Sequence, residues 1–289
     1  RHRVALGTRL HSSPQSGYLI ASFPQLQQVH YARLPDISWR PLLEGLKAPE
    51  SLCVDRDRSR LYVADISVAV VYWYQLSWLD DGRLITDGYQ RLAASEIIAR
   101  ALAVDSTGTL YISGESRSDG AEGIFKQFAQ APPSQLWPVH SVAGLALDAV
   151  RVYWATNTSI VEAAFTGAPQ VLVNRSAAAL VLAPAGVFYA AKEGVYGLPL
   201  TGGSEALVAR VEDATSLVWD GDSTVLVASR AGGSIFAFPA GTVAEHPLER
   251  VAGAKGVYGM ALLPEDSAHV VGGAGTLLLM VAWLVDWVM

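Results

Sequence analysis

Short apolar runs alternate with polar turns along most of this chain, and the pattern repeats. In each unit an apolar run ends at an aspartate or a turn, and polar and glycine residues follow. A second run, rich in aromatic or β-branched residues, comes next and is called the returning strand. Leu102–Asp105 followed by Thr109–Ser113 is one copy, and Leu145–Asp148 followed by Arg151–Ala155 is another. Short runs bounded by turn residues are typical of β-strands. The pattern therefore predicts hairpins of short strands and excludes a bundle of helices.

The units recur with the period of a propeller blade. The first apolar residues of successive units are Leu52, Leu102, Leu145, Leu180, Leu217 and Met260. Their spacings lie between 35 and 50 residues, which brackets the period of a four-stranded blade. The sixth unit stops soon after Leu263, and Gly17–Ser22 near the start matches its missing returning strand. We therefore expect an all-β, six-bladed β-propeller over residues 16–265, closed by N- and C-terminal strands. Residues 1–15 are interpreted as an N-terminal extension.

Three units resemble known propeller repeats. Val152-Tyr153-Trp154-Ala155-Thr156 resembles the YWTD repeat and departs from it at the last position, where aspartate is expected. Leu61–Asp65 is similar to the NHL repeat, and Leu198–Gly203 resembles the strand and turn that end the repeats of bacterial secreted propellers. The resemblance implies a six-bladed propeller and leaves function open, because propellers include receptors, scaffolds and hydrolases.

Aligning the units also predicts which residues share a place in the blades. The returning strands align so that one position is occupied by Tyr62, Tyr111, Tyr153, Tyr189 and Leu226. The aspartates that end the first strands are Asp55, Asp105, Asp148 and Asp220. Because they occupy the same turn in each unit, we expect their carboxylates to accept hydrogen bonds from turn amides.

The last 20 residues, 270–289, are almost entirely apolar and predict one C-terminal transmembrane α-helix, since as a helix they would span about 30 Å. The residues assigned to this membrane anchor are Val270, Gly272, Gly273, Gly275, Trp283, Asp286 and Trp287. The tryptophans lie four apart, as in an interfacial aromatic anchor, and the glycines allow close helix packing. Asp286 either reaches the headgroups or meets a neighbouring membrane subunit.

Charge and composition limit the classes of partner that the chain is expected to bind. The formal net charge is −6, and we expect no nucleic-acid partner because phosphate binding needs a basic surface. Charged residues make up only 17% of the chain, consistent with buried strands and a membrane segment. Cys53, the single cysteine, lies in an apolar run and is interpreted as a structural thiol. Arg1, Arg3 and Arg9 make the start basic, as the remainder of a removed targeting segment would be; the propeller would then lie on the lumenal side of an organelle membrane.

Catalytic motifs do not stand out. The sequence has no G-x-S-x-G elbow and no G-x-x-x-x-G-K-[ST] loop. Propeller lactonases gather Glu, Asn and Asp ligands at the central channel, and the candidates here are Glu50, Asn157 and Asp213. Asparagine is scarce, with only Asn157 and Asn174, which disfavours that chemistry. Both begin N-x-S/T triplets that match the glycosylation pattern.

We therefore expect a non-catalytic interaction or scaffold subunit without a cofactor, bound to the lipid bilayer and to other membrane-protein subunits. A photosynthetic or respiratory complex of an organelle is the proposed setting. A metal-dependent, lactonase-like propeller hydrolase and a membrane-tethered YWTD-type receptor domain are the alternatives.

Overall fold

A computed structural model describes residues 16–129 and 131–265. In this part of the chain the strands form six antiparallel sheets. The strands of the first half are β1 (Gly17–Phe23), β2 (Gln28–Leu34), β3 (Arg40–Leu43), β4 (Pro49–Asp55), β5 (Arg60–Asp65), β6 (Val70–Trp78), β7 (Leu84–Thr86), β8 (Arg91–Ser95), β9 (Ile97–Val104), β10 (Leu110–Ser116), β11 (Glu122–Gln127) and β12 (Ser134–Pro138). Those of the second half are β13 (Gly144–Leu147), β14 (Arg151–Ala155), β15 (Ile160–Ala164), β16 (Gln170–Val173), β17 (Ala179–Ala183), β18 (Gly186–Ala191), β19 (Gly194–Leu198), β20 (Ala206–Ala209), β21 (Ala214–Trp219), β22 (Thr224–Ser229), β23 (Ser234–Pro239), β24 (Glu249–Gly253) and β25 (Met260–Pro264). A 3-10 helix, Pro24–Leu26, joins β1 to β2.

Each sheet is one blade, and the six blades form a closed ring. Blades one to five begin with the inner strands β4, β9, β13, β17 and β21, and blade six begins with β25. Each inner strand contacts the inner strand of the next blade, and β25 contacts β4. The fold is therefore the all-β, six-bladed propeller that the repeat predicts.

Closure by both chain ends is confirmed. The inner strand of blade six is β25, and it pairs with β1 in the register Ala21↔Met260 to Gly17↔Pro264. β2 and β3 complete the blade on its outer side. The ring therefore has no unpaired inner edge at the junction.

Blade one has an additional strand that the repeat does not predict. β6 extends beyond the blade, and its end pairs with β7 in a hairpin, while β8 supplies the usual outer strand. This insertion accounts for the longest spacing between units, from Leu52 to Leu102. The hairpin contacts blade six, where the Tyr18 hydroxyl donates a hydrogen bond to the Gly82 carbonyl at 2.7 Å.

The connections between strands define two faces of the ring. The bottom face carries the turns between first and second strands and the loops between third and fourth strands of each blade. The top face carries the turns between second and third strands and the connections to the next blade. Since β25 runs from top to bottom, the described chain ends at Glu265 on the bottom face.

The predicted equivalence of the returning strands holds at four of five positions. Tyr62, Tyr111, Tyr153 and Leu226 all lie opposite the second residue of the apolar run on the inner strand. In blade four Phe188 occupies this place, opposite Val181, and Tyr189 lies opposite Leu180. The prediction for Tyr189 was wrong by one residue because the turn of blade four is a short Pro184-Ala185 connection without the usual aspartate. A one-residue shift places Tyr189 on the other face of the sheet.

The turn aspartates act as predicted. Asp105 Oδ1 accepts hydrogen bonds from the amides of Thr107 and Thr109, both at 2.9 Å. Asp148 Oδ1 likewise accepts from the Arg151 amide at 2.7 Å, and Asp220 Oδ1 from the Thr224 amide at 3.0 Å. Asp55 Oδ1 accepts from the Arg58 amide at 3.1 Å. These residues fix the bottom turns of their blades.

Other predictions concern parts of the chain that the structure does not describe. The N-terminal extension and the anchor residues from Val270 to Trp287 lie outside the described residues. Within 16–129 and 131–265, no helix has the length and apolar character needed to cross a membrane. Cys53 packs beside the apolar cluster between blades one and two, and burial raises the pKa of its thiol, as expected of a structural cysteine.

Candidate functional site at the channel mouth

The six inner strands surround a central channel that opens on the top face as a cavity of about 270 Å³. The wall near this opening is made of small residues, among them Ser51, Gly144, Ala179 and Gly259. Small residues are needed where inner strands approach one another. A Cβ on Gly259 would lie 2.3 Å from the Glu50 carbonyl oxygen, so no side chain fits there.

Serine side chains connect neighbouring inner strands around the channel. Ser51 accepts a hydrogen bond from the Leu102 amide at 3.0 Å, and Ser216 accepts one from the Met260 amide at 3.0 Å. Ser22 accepts from the Gly259 amide at 2.9 Å and donates to the Glu50 carbonyl at 2.5 Å. Three of these four bonds run between blades, and the one from Gly259 to Ser22 lies within blade six, so together they hold the channel wall in one arrangement.

Glu50 and Tyr258 form the most perturbed pair at the mouth. Burial raises the pKa of Glu50, and a hydrogen bond from Tyr258 together with the charges of Arg100 and Arg230 partly opposes the rise. Burial also raises the pKa of the Tyr258 hydroxyl, and the nearby Glu50 carboxylate raises it further. A carboxyl group with a raised pKa in a cavity is a candidate for proton transfer or ligand binding.

Arg230 and Asp213, both of blade five, form a forked ion pair at the mouth. Nε donates to Oδ2 at 2.9 Å and Nη2 donates to Oδ1 at 3.1 Å. The hydrogen bonds to Asp213 raise the pKa of Arg230. Asp213 has a left-handed backbone with φ of 49°, which brings its side chain into this pair and its carbonyl into contact with the Arg230 amide.

Arg100 contributes a second guanidinium to the lining. Within the described residues it makes no ion pair, in contrast to Arg230. Glu122 lies nearby, where it accepts hydrogen bonds from the Ser141 amide at 3.0 Å and pairs with His140 at 3.2 Å. The Ser141 amide, His140 and Arg100 hold the pKa of Glu122 below its usual range. The mouth thus combines two guanidiniums with Glu50 and Asp213, and its charge is close to balanced.

Two of the three candidate metal ligands from the sequence converge here. Glu50 and Asp213 both face the mouth, whereas Asn157 lies exposed in the turn between β14 and β15. Glu50 is hydrogen-bonded to Tyr258, and Asp213 is paired with Arg230. The positive charges of Arg100 and Arg230 would also repel a bound cation. Among the residues with described positions, no three His, Cys, Asp or Glu side chains form a cluster suited to a metal.

Sequence reasoning missed Arg100, Arg230 and Tyr258. Arg230 and Tyr258 lie just outside strands, and Arg100 lies within β9 at a register shift, so the repeat aligns all three poorly. A usable signal was present for Arg230, which follows the second strand of its blade as Ile66 and Asn157 follow theirs. Placing these turns on one face of a ring would have brought Arg230 towards the channel.

The comparison with solved structures agrees with the fold. The chain superposes on a chain of a nidogen/laminin complex with a TM-score of 0.66 and 13% sequence identity, over 86% of this chain and 98% of the other. A streptogramin B lyase structure is matched with a TM-score of 0.49 and 14% identity, over 70% of this chain and 67% of the other. No protein-family model and no curated protein sequence matches the chain. At these identities the likeness concerns the propeller fold alone.

Proposed function

We propose that this chain is a non-catalytic interaction module, tethered to a membrane by residues 270–289 and docked by its bottom face on a membrane-protein partner. In this proposal the propeller is a scaffold subunit of a larger complex. The top face with its channel mouth remains directed away from the membrane.

The distribution of exposed apolar side chains carries the proposal. Five of them lie in bottom-face turns and loops of blades one to four, namely Leu79, Tyr89, Phe128, Val150 and Leu200. Leu26 and Val68 are the large exposed apolar residues in the described top-face turns. Exposed apolar groups concentrated on one face are typical of a protein-binding surface.

The path of the chain supports the same orientation. The last described residue, Glu265, is at the bottom face, so a segment continuing from it leaves the propeller there. A membrane segment beginning at Val270 would bring the bottom face close to the bilayer. The bottom loops also carry Asp80, Asp81, Asp87 and Glu245, which favours a protein partner over insertion into lipid.

Photo-crosslinking in native membranes tests the proposal. The full chain carries a photoreactive amino acid at Phe128 or Val150 on the bottom face, or at Leu26 or Val68 on the top face as matched exposed controls. We expect one discrete membrane-protein adduct from both bottom positions and none from the controls. Adducts confined to the top positions, or equal labelling from all four, would contradict the proposal.

A hydrolase is the second candidate, and Glu50 is the observation that favours it. Its raised pKa and its hydrogen bond to Tyr258 at a polar cavity fit a general acid. The conservative variant Glu50→Gln separates the two functions. It leaves the crosslinked adduct unchanged under the interaction proposal and abolishes turnover under the hydrolase alternative.

A further inference from the structure

A second cavity, larger than the channel mouth, lies between blades one and two towards the bottom face. Its volume is about 520 Å³, within the range of small-molecule pockets. Blade one contributes Arg60, Trp73 and Arg91, and blade two contributes Leu110 and Gln127. We call this the inter-blade cleft.

One wall of the cleft is a ladder of three side chains across blade one. Trp73 on β6 lies opposite Tyr62 on β5 and opposite Arg91 on β8. The guanidinium carbons of Arg60 and Arg91 lie 4.3 Å and 4.6 Å from the centroid of the Trp73 ring. The two arginines come from the strands on either side of β6, and both guanidiniums make cation–π contacts with the indole.

The two arginines differ in their remaining partners. Arg91 is neutralised by Asp87, to which it donates two hydrogen bonds at 2.7 Å and 3.1 Å. Arg60 forms no ion pair with any carboxylate of the described residues, and its buried Nε has no hydrogen-bond partner there. Its guanidinium is in hydrogen-bonding range of the Tyr62 hydroxyl, which does not neutralise it. One uncompensated positive charge therefore faces the cleft.

The opposite wall carries an unpartnered amide. Gln127 is only 8% exposed, and its Oε1 is buried without a hydrogen-bond partner among the described residues. Gln127 pairs with Leu110, and the strand register gives the equivalent residue of each other blade. Those residues are Ala32, Tyr74, Ala163, Leu198 and Phe238.

Blade two is thus unique in placing a primary amide at this position. The other blades fill it with buried side chains that are apolar or aromatic, so the fold does not require a polar group there. A buried amide oxygen without a partner has lost its hydrogen bonds to water and is destabilising. A ligand that donates a hydrogen bond to Oε1 would remove this cost.

We propose that the inter-blade cleft binds a carboxylate whose neighbouring carbon carries an N–H or O–H donor. The carboxylate binds Arg60, and the donor binds Gln127 Oε1. Two guanidiniums already lie over the Trp73 indole, which reduces the ring surface open to stacking by an aromatic base or ring. Leu92 and Leu110 provide an apolar wall for a short side chain. The carboxyl-terminal residue of a peptide and a free 2-hydroxy acid share this chemistry.

Titration of the full chain in detergent with four small probes tests the proposal. N-acetylalanine represents a peptide carboxyl terminus, lactate a hydroxy acid, acetate a carboxylate without a donor, and N-acetylalanine amide a donor without a carboxylate. The readout is the Nε–H resonance of Arg60, assigned by its loss in Arg60→Gln. We expect N-acetylalanine or lactate to shift it, acetate to bind about tenfold more weakly, and the amide to have no effect. Whichever of N-acetylalanine and lactate binds with the higher affinity identifies the source of the ligand.

Variants separate binding from folding. Gln127→Leu should weaken binding about tenfold without lowering the melting temperature, because Leu198 occupies the same place in blade four. Arg60→Gln should abolish the shift of the Gln127 side-chain amide resonance. Arg151→Gln is the matched control, since Arg151 is the equivalent of Arg60 in blade three and pairs with Glu162. No shift with either donor-bearing acid at millimolar concentration, equal binding of acetate, or an unchanged affinity in Gln127→Leu overturns the proposal.

Discussion

Trp137 and Trp154 stack across the boundary between blades two and three, with ring centroids 5.4 Å apart and an interplanar angle of 26°. Trp137 is on the outer strand β12, and Trp154 is on β14 of the next blade. Trp154 is 1% exposed. The stack therefore joins the edge of one blade to the middle of the next.

Removing the Trp154 ring from this stack should destabilise the whole propeller. Trp154→Ala is expected to lower the free energy of unfolding by about 3–5 kcal/mol, through lost burial and the cavity it leaves. Trp154→Phe should cost clearly less, because it keeps a ring and removes an indole N–H that has no partner among the described residues. Urea denaturation measures both. Val171→Ala, at an exposed position of β16, is the control and should change stability by less than about 0.5 kcal/mol.

The raised pKa of Glu50 predicts a pH dependence of stability. The folded state holds the Glu50 proton more tightly than the unfolded state does, since burial raises its pKa above the ordinary value of 4.5. The stability that protonated Glu50 contributes is fully present below the pKa that Glu50 has in the unfolded chain. It is lost as the pH rises through the pKa that Glu50 has in the folded protein. Glu50→Gln should therefore gain stability relative to wild type as pH increases across this window. Denaturation at a series of pH values checks this, and a difference that does not vary with pH would contradict it.

Arg230 should influence Glu50 without contacting it. Its positive charge lowers the Glu50 pKa, so Arg230→Gln is expected to raise that pKa further and to leave Asp213 without its forked partner. Because the pair is partly exposed, the loss of stability should be only about 1 kcal/mol. Carboxyl-carbon NMR titration measures the pKa. Arg210→Gln, which breaks an exposed ion pair with Glu245, should leave the Glu50 titration unchanged.

Closure predicts a sharp limit for C-terminal truncation. A chain ending at Glu265 keeps β25 and should unfold in one cooperative transition. A chain ending at Gly259 lacks β25, which leaves the β1 edge and the clusters on both sides of blade six unpaired. We expect that shorter chain to be readily digested by protease under native conditions. Equal protease resistance of the two chains would show that β25 is dispensable.

The anchor prediction rests on the sequence of residues 270–289. The full chain should remain with membranes after washing at high salt and at alkaline pH, because an inserted apolar helix is not released by screening. The chain ending at Glu265 should be recovered in solution after the same treatment. Release of the full chain by salt would rule out an integral anchor.

The number of blades and their closure could be predicted from the sequence because each depends on local patterning that repeats. The apolar run and the turn aspartate recur in unit after unit, and the last unit, Met260–Leu263, visibly lacks a returning strand after it. The position of Tyr189 could not be predicted as reliably, because register depends on turn length and blade four has an atypical turn.

The charged groups at the mouth and in the cleft were harder to predict. Arg230 and Asp213 are separated along the chain by all of β21 and β22, and the antiparallel pairing of these two strands brings them together. The unusual character of Gln127 becomes visible only when strand pairing shows that Leu198 and Phe238 are its counterparts. Finding candidate sites on a propeller from its sequence therefore depends on knowing the strand register more than on recognising motifs.

The pairing of β1 with β25 also sets an order of events during synthesis. Among the described strands, β1 is the first to emerge from the ribosome, yet its inner partner β25 is the last. Until Met260–Pro264 appears, the sheet of β1, β2 and β3 has an unpaired inner edge that is open to other chains. The nascent propeller therefore remains vulnerable to mispairing until the last of its described strands has been made.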